Sequence, residues 1–199
     1  MSDERSDLSL LVKADAITKA LHDESHPLYP KSKTSTAPIS DMAGMKDLGV
    51  HFVKLEPDAE STCIHWHLVD SEWIYVLSGF GVLQVVDAGI PDWTSKEEMV
   101  KAIMSPKSDE KPKIEIVEHV ISTGDFMGFS GGVGAQKHAH GLKAGKDGMT
   151  YLVGGTRSGK DVCYYPLDIG LRFRAGQAIA RHSSPFHAMF LPPGPTPEN

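Results

Sequence analysis

His65 and His67 stand two positions apart, and Glu72 follows the second histidine by five. Side chains on a β-strand alternate faces, so two histidines at i and i+2 point the same way. Cys63-Ile64 before the pair and Trp73 to Leu77 after it are apolar, aromatic or β-branched, which predicts strand on both sides. Val69-Asp70-Ser71 is short and polar at its end, enough to turn the chain and bring Glu72 back beside the pair. Two imidazoles and a carboxylate on one inner surface make a partial shell for one divalent ion per chain. Such nitrogen and oxygen donors suit Fe, Mn, Ni, Co or Zn, with availability choosing among them.

The run His-x-His-x4-Glu-x6-Gly, ending at Gly79, resembles the first conserved motif of the cupin superfamily. Gly124-Asp125-Phe126-Met127-Gly128-Phe129-Ser130-Gly131-Gly132, followed by His138-Ala139-His140, is similar to the second. The resemblance runs from about His51 to Pro166 and departs from the family pattern at named places. Ala59 stands where the first motif opens with glycine, and Ser130 where the second carries proline. Val133 to Lys137 separate the glycines from the histidines, and Ala144 occupies the place of an asparagine if the ligand is His140. The resemblance implies an all-β double-stranded β-helix, a jelly-roll barrel with short helical insertions. It also implies a fourth metal ligand from the second motif. His138 and His140 share a face on a regular strand. The spacing that follows favours His140, leaving His138 as the alternative ligand or a neighbour of the metal on the substrate side.

Cys63 lies two residues before His65 and points into the same interior, as a small core residue or as a thiol beside the metal. Trp73 and Tyr75 fall on the face opposite Glu72 and read as packing residues. Gly131-Gly132-Val133-Gly134 lacks the Lys-Ser/Thr helix start of a phosphate loop and reads as a turn at the barrel rim. Lys143 and Arg157 are the cations placed to meet an anionic substrate.

The elements that must position these groups are short. Apolar, β-branched runs are expected at 51–55, 62–67, 72–77, 82–87, 114–121, 125–129, 136–142, 149–153 and 161–165, with turn residues between them. That texture belongs to a sandwich or barrel. We divide the chain into an arm and loop at 1–45, a barrel at 46–170 and an extension at 171–199. The arm holds a strand candidate, Leu8–Val12, a helix candidate, Ala14–Leu21, and a Pro/Ser/Thr-rich loop over His26–Ser40. The barrel is interrupted by an insertion at 89–112, where Ser95-Lys96-Glu97-Glu98 fits a helix capping box and the segment is either surface decoration or a lid. Leu191 to Asn199 reads as an extended tail.

The chain has 199 residues, a net charge of −6, 40% hydrophobic and 23% charged residues, and two cysteines. This is one soluble domain with extensions, without a basic footprint for nucleic acid, an apolar run for a membrane or a disulfide framework. The acidic start Met1 to Asp7 has no signal-peptide order, so a cytoplasmic location is expected. A homodimer is expected through the N-terminal strand on an open sheet edge. The function expected is a metal-dependent enzyme on a small organic molecule, foremost a non-haem-iron dioxygenase. The alternatives are a metal-dependent isomerase or lyase, or a non-catalytic binding protein.

Overall fold

A computed structural model of the chain describes residues 10–26, 29–88, 95, 97–98, 114–159, 161–167, 178–181 and 188–189. A short helix α1 (Ala14–Ala20) leads into β1 (His22–His26), β2 (Tyr29–Ala37) and the single turn α2 (Ile39–Met42). Then come β3 (Leu48–Leu55), β4 (Trp66–His67), β5 (Glu72–Val86), β6 (Ile116–Ser122) and β7 (Phe126–Phe129). A 3-10 turn (Ala135–His138) precedes β8 (Ala139–Thr156), β9 (Val162–Tyr164), β10 (Ala178–Arg181) and β11 (Ala188–Met189). One sheet has the order β1-β2-β3-β8-β5-β6 with β7 also on β5, and a smaller one runs β11-β10-β9-β4. Every pairing between these strands is antiparallel.

β5 and β8 form the spine, paired from Glu72 with Gly155 at one end to Val86 with Ala139 at the other. The sequence predicts two strands where β5 runs unbroken, and the reason is a slip in the ladder. Register shifts fall between Val76 and Ser78 and between Gly79 and Gly81. Ile74 and Val76 are buried before the slip, Gly81 and Leu83 after it, so the buried parity changes from even to odd. A bulge of this kind looks like a break in hydrophobic alternation although the strand continues. The predicted strands at 136–142 and 149–153 likewise belong to one strand, β8, preceded by the 3-10 turn.

Val53, Leu55, Ile74, Val76, Leu142 and Met149 pack the centre of the large sheet. Ile64, Trp66 and Leu68 pack instead with Val86, Ala135 and Ala139, in a second cluster under the small sheet. The two sheets meet at a pair of reciprocal backbone hydrogen bonds, His65 N–H to His140 O at 3.1 Å and His140 N–H to His65 O at 2.8 Å. The seam of the fold therefore runs through two of the histidines singled out above.

Three expectations are corrected. His26–Ser40 is not a loop: β1 and β2 form a hairpin and β2 joins the sheet along β3, Thr36 opposite Val53. Its Thr and Ser side chains suit a pleated surface, and Ser32 and Thr36 are buried there. Leu10 to Val12 carries no strand; Leu10 and Leu11 are exposed. At 62–67 only Trp66–His67 is strand. Ser95 does cap, its hydroxyl accepting from the Glu98 N–H at 3.1 Å. The rest of the 89–112 insertion and of the 191–199 tail lies outside the described residues. Among the described residues no helix is long and apolar enough to cross a membrane.

Candidate metal centre

Alternation around β4 sorts the chain cleanly. Trp66 and Leu68 go to the second apolar cluster, while His65 and His67, 4% and 6% exposed, turn towards Glu72. Glu72 opens β5, opposite Phe129 of β7 and Gly155 of β8. His140 is the second residue of β8. His67 Nε2 lies 2.9 Å from Glu72 Oε2, His140 Nε2 lies 3.3 Å from it, and His65 Nε2 lies 3.7 Å away. His65 Nε2 and His67 Nε2 are 3.2 Å apart. The Phe129 ring stacks on His140 at 3.4 Å between centroids, and Tyr165 lies 5.8 Å from the His65 ring. Glu72, with 19% of its side chain exposed, is the member that meets solvent.

The far side of each ring decides which nitrogen is available. His65 Nδ1 is 3.0 Å from the carbonyl oxygen of Cys63, and His140 Nδ1 is 3.1 Å from that of His138. A carbonyl only accepts, so in both rings Nδ1 carries a proton and Nε2 is the nitrogen left to face Glu72. His67 Nδ1 is 2.5 Å from Asp161 Oδ2, a carboxylate, with the same consequence. Three imidazoles thus aim their Nε2 atoms at one carboxylate oxygen, where a proton on Nε2 makes the contact a hydrogen bond and a bound cation would take that proton's place. Two lone pairs 3.2 Å apart repel unless a cation or a proton lies between them. Three imidazole nitrogens, once their Nε2 protons are given up, and one anionic oxygen are a donor set that fits a divalent first-row ion.

The electrostatics follow from this packing. Burial alone pushes the Glu72 carboxyl up, but hydrogen bonds from His140 and His67, and their charge, hold it well below the usual carboxylate range. Burial pulls His67 down, yet Cys163, Asp161 and Glu72 around it hold it well above the ordinary imidazole value. Asp161 is raised by burial and lowered further by His67 and by the backbone N–H groups of Asp70 and Val69, with a net downward shift. Tyr151, buried beside Glu72, is pushed up by burial and by that charge, so its phenol keeps its proton.

Of the other residues marked in the sequence, Cys63 is buried and its thiol is pushed up to about 12 by burial. The His138 side chain is exposed, and that residue's contact with the cluster is the carbonyl that fixes His140. Lys143 is half-buried on β8. Arg157, a candidate for meeting an anionic substrate, is ion-paired with Asp41. Two participants escaped the sequence reading, Asp161 and Cys163. Cys163 is fully buried on β9 opposite His67, its Sγ 3.5 Å from His67 Nδ1. With His65 and His67 it makes a second possible grouping of metal donors. Both lie more than ninety positions from the histidine they touch, where local spacing carries no signal.

The five-residue spacer in the second motif has a structural answer. Gly134, in the left-handed region at φ 93°, starts the 3-10 turn that carries the chain into β8 and sets His140 opposite His65. The departures at Ala59 and Ala144 touch each other, the Ala144 N–H donating to Ala59 O at 2.9 Å.

No protein-family model matches the chain, and no curated protein does. Solved structures do. A candidate sugar phosphate isomerase from Acidithiobacillus ferrooxidans superposes with a TM-score of 0.63 at 24% identity, covering 90% of this chain and 91% of its own. A sugar phosphate isomerase of the cupin superfamily from Silicibacter pomeroyi gives 0.56 at 20% identity, covering 86% and 89%. The fold is that of the cupin superfamily. The cupin barrel accounts for why a strand pair, a strand start and a remote β8 histidine converge at one seam, and for the close fit of Gly131. A Cβ at Gly131 would lie 2.4 Å from Asp70 O and 2.5 Å from Val69 O, on the loop that joins His67 to Glu72.

Proposed function

We propose that this cupin is a metal-dependent isomerase or lyase acting on a small, oxygen-rich anionic molecule of the sugar phosphate type. In this reading His65, His67, Glu72 and His140 hold one divalent ion. The observation that carries it is the convergence of three Nε2 atoms on Glu72 with every Nδ1 tied behind. Such an ion, when bound, supplies Lewis-acid polarisation of a carbonyl oxygen, which acidifies the neighbouring C–H.

The protein's own groups do the rest. The two buried apolar clusters keep water from the rear of the site, and the exposed edge of Glu72 marks the side from which a substrate enters. Phe129 fixes the plane of His140 by stacking. Tyr151 keeps its phenol proton, because burial and the charge of Glu72 both oppose its loss. The dioxygenase expected from sequence uses the same donors, so the donors do not choose between the reactions. The nearly full-length similarity to two structures named for sugar phosphate isomerisation supports the isomerase side.

The test begins with metal analysis of the purified protein. Mn(II)- and Zn(II)-loaded samples are then incubated with aldose and ketose phosphates in D2O and followed by NMR. Metal-dependent deuterium incorporation next to the carbonyl, with interconversion and no oxygen uptake, is the expected result. Oxygen consumption without exchange would return the dioxygenase, and a chain that binds no divalent ion would remove the metal centre.

A further inference from the structure

We infer that Asp161 is a positioning residue for the metal centre: through His67 Nδ1 it fixes the ring's tautomer and aim, and its other oxygen locks the loop that carries Glu72. This rests on the metal reading above. Its basis is a division of labour between two oxygens. Oδ2 of Asp161 lies 2.5 Å from His67 Nδ1, and Oδ1 accepts from the backbone N–H groups of Val69 at 3.0 Å and Asp70 at 3.2 Å. Asp161 is 3% exposed, so these contacts are made out of reach of competing water.

His65 and His140 are tied by backbone carbonyls two residues earlier in the chain, contacts that come with local geometry. His67 is different. Its tie comes from a residue 94 positions along, on the approach to β9, and it is charged. A carboxylate behind a ligating imidazole orients the ring and raises its basicity, and losing it costs metal affinity about tenfold to a hundredfold. Cys163, with Sγ 3.5 Å from the same Nδ1, is the competing partner and lies farther off than Asp161 Oδ2 at 2.5 Å.

An isosteric change separates positioning from simple bracing. In Asp161→Asn the amide oxygen must face the two backbone N–H donors, because turning the NH2 towards them would oppose donors to donors. The NH2 then faces His67 Nδ1 and selects the tautomer with its proton on Nε2, aimed where the metal must bind. The loop stays braced while the ligand is blocked. Asp161→Ala removes the brace and leaves either tautomer free.

The experiment is a competition titration with Mn(II) and Zn(II) on wild type, D161N and D161A, with melting curves of the metal-free proteins. The inference expects D161N to bind at least about tenfold more weakly than wild type. It also expects D161N to bind no better than D161A while melting higher than D161A. A brace alone predicts the reverse order of affinities. A D161N affinity within about twofold of wild type overturns the inference. Should D161N not fold, 15N-labelled, Zn(II)-loaded wild type decides: a strongly deshielded, exchange-protected proton on His67 Nδ1 supports it, and the absence of one overturns it. A wild type that binds neither ion rejects the metal centre itself, a result distinct from normal binding by wild type and D161N alike.

Discussion

Gly131 and Gly132 are neighbours with different reasons to be glycine, and that difference can be measured. Gly131 has no positive φ, but a Cβ there would sit 2.4 Å from Asp70 O, 2.5 Å from Val69 O and 2.6 Å from Val69 C. All three are backbone atoms, so relief requires moving the 67–72 loop by on the order of 1 Å, an overpacking cost of about 1–3 kcal/mol. For a chain of this size that is ~2–12 °C in melting temperature. Gly132 has φ 91° and open space around its missing Cβ, so Gly132→Ala pays only for the left-handed backbone, about 1–2 kcal/mol. The two variants should thus lose similar stability. Metal affinity should fall further in Gly131→Ala, which pushes on the backbone of the loop between His67 and Glu72, than in Gly132→Ala, whose N–H to His67 O at 3.3 Å can stay in place. Disturbing the groups that orient a ligand costs about tenfold to a hundredfold in metal affinity. Thermal melting of the metal-free proteins and dye-competition titration with Mn(II) read the two quantities. Equal affinity losses in both variants, or unchanged affinity in a clearly destabilised Gly131→Ala, would refute the reasoning.

Other consequences can be checked alongside. His67→Ala should abolish most metal content by elemental analysis, whereas His138→Ala, which keeps the carbonyl holding His140, should retain it. Glu72 has its folded-state value depressed, so its stabilisation is complete above its unfolded value near 4 and is lost as pH falls through the folded one. Acid titration of the metal-free protein should therefore show a loss of stability below about pH 4 that is smaller in Glu72→Gln. Metal binding should weaken on acidification beginning above about pH 6.5, because His67 is held above the ordinary imidazole value and its Nε2 must be unprotonated. With its thiol pushed up to about 12, Cys63 should resist iodoacetamide in the native protein at pH 8 and react on unfolding, as read by peptide mass spectrometry.

Period and spacing carried the part of the molecule that local rules govern. His65-x-His67 with Glu72 after a short turn was legible because i, i+2 parity and one turn are enough to bring them together, and the strands at β3, β6, β7 and β9 lie close to their predicted spans. The reading failed where tertiary pairing overrode composition. Tyr29 to Ala37 looks like a polar loop until β3 offers it an edge. The Ser78-Gly79 pair looks like a strand end because the compensating partner is remote, a Cβ at Gly79 meeting Gly148 O at 2.4 Å. The pairing of Arg157 with Asp41 carried no local signal because the partners lie 116 positions apart. Asp161 was invisible for the same reason.

The seam between His65 and His140 also bears on how the chain reaches its folded form. Three of the four donors lie within eight residues, but the fourth is 68 positions from Glu72 and arrives only when the β5–β8 ladder has zipped to its far end. Such distant pairing makes folding slow compared with helical proteins, since the loop must close before its contacts repay the entropy. An ion gripped by both ends would clip that loop shut, removing about 4 kcal/mol of closure entropy from any partly opened state.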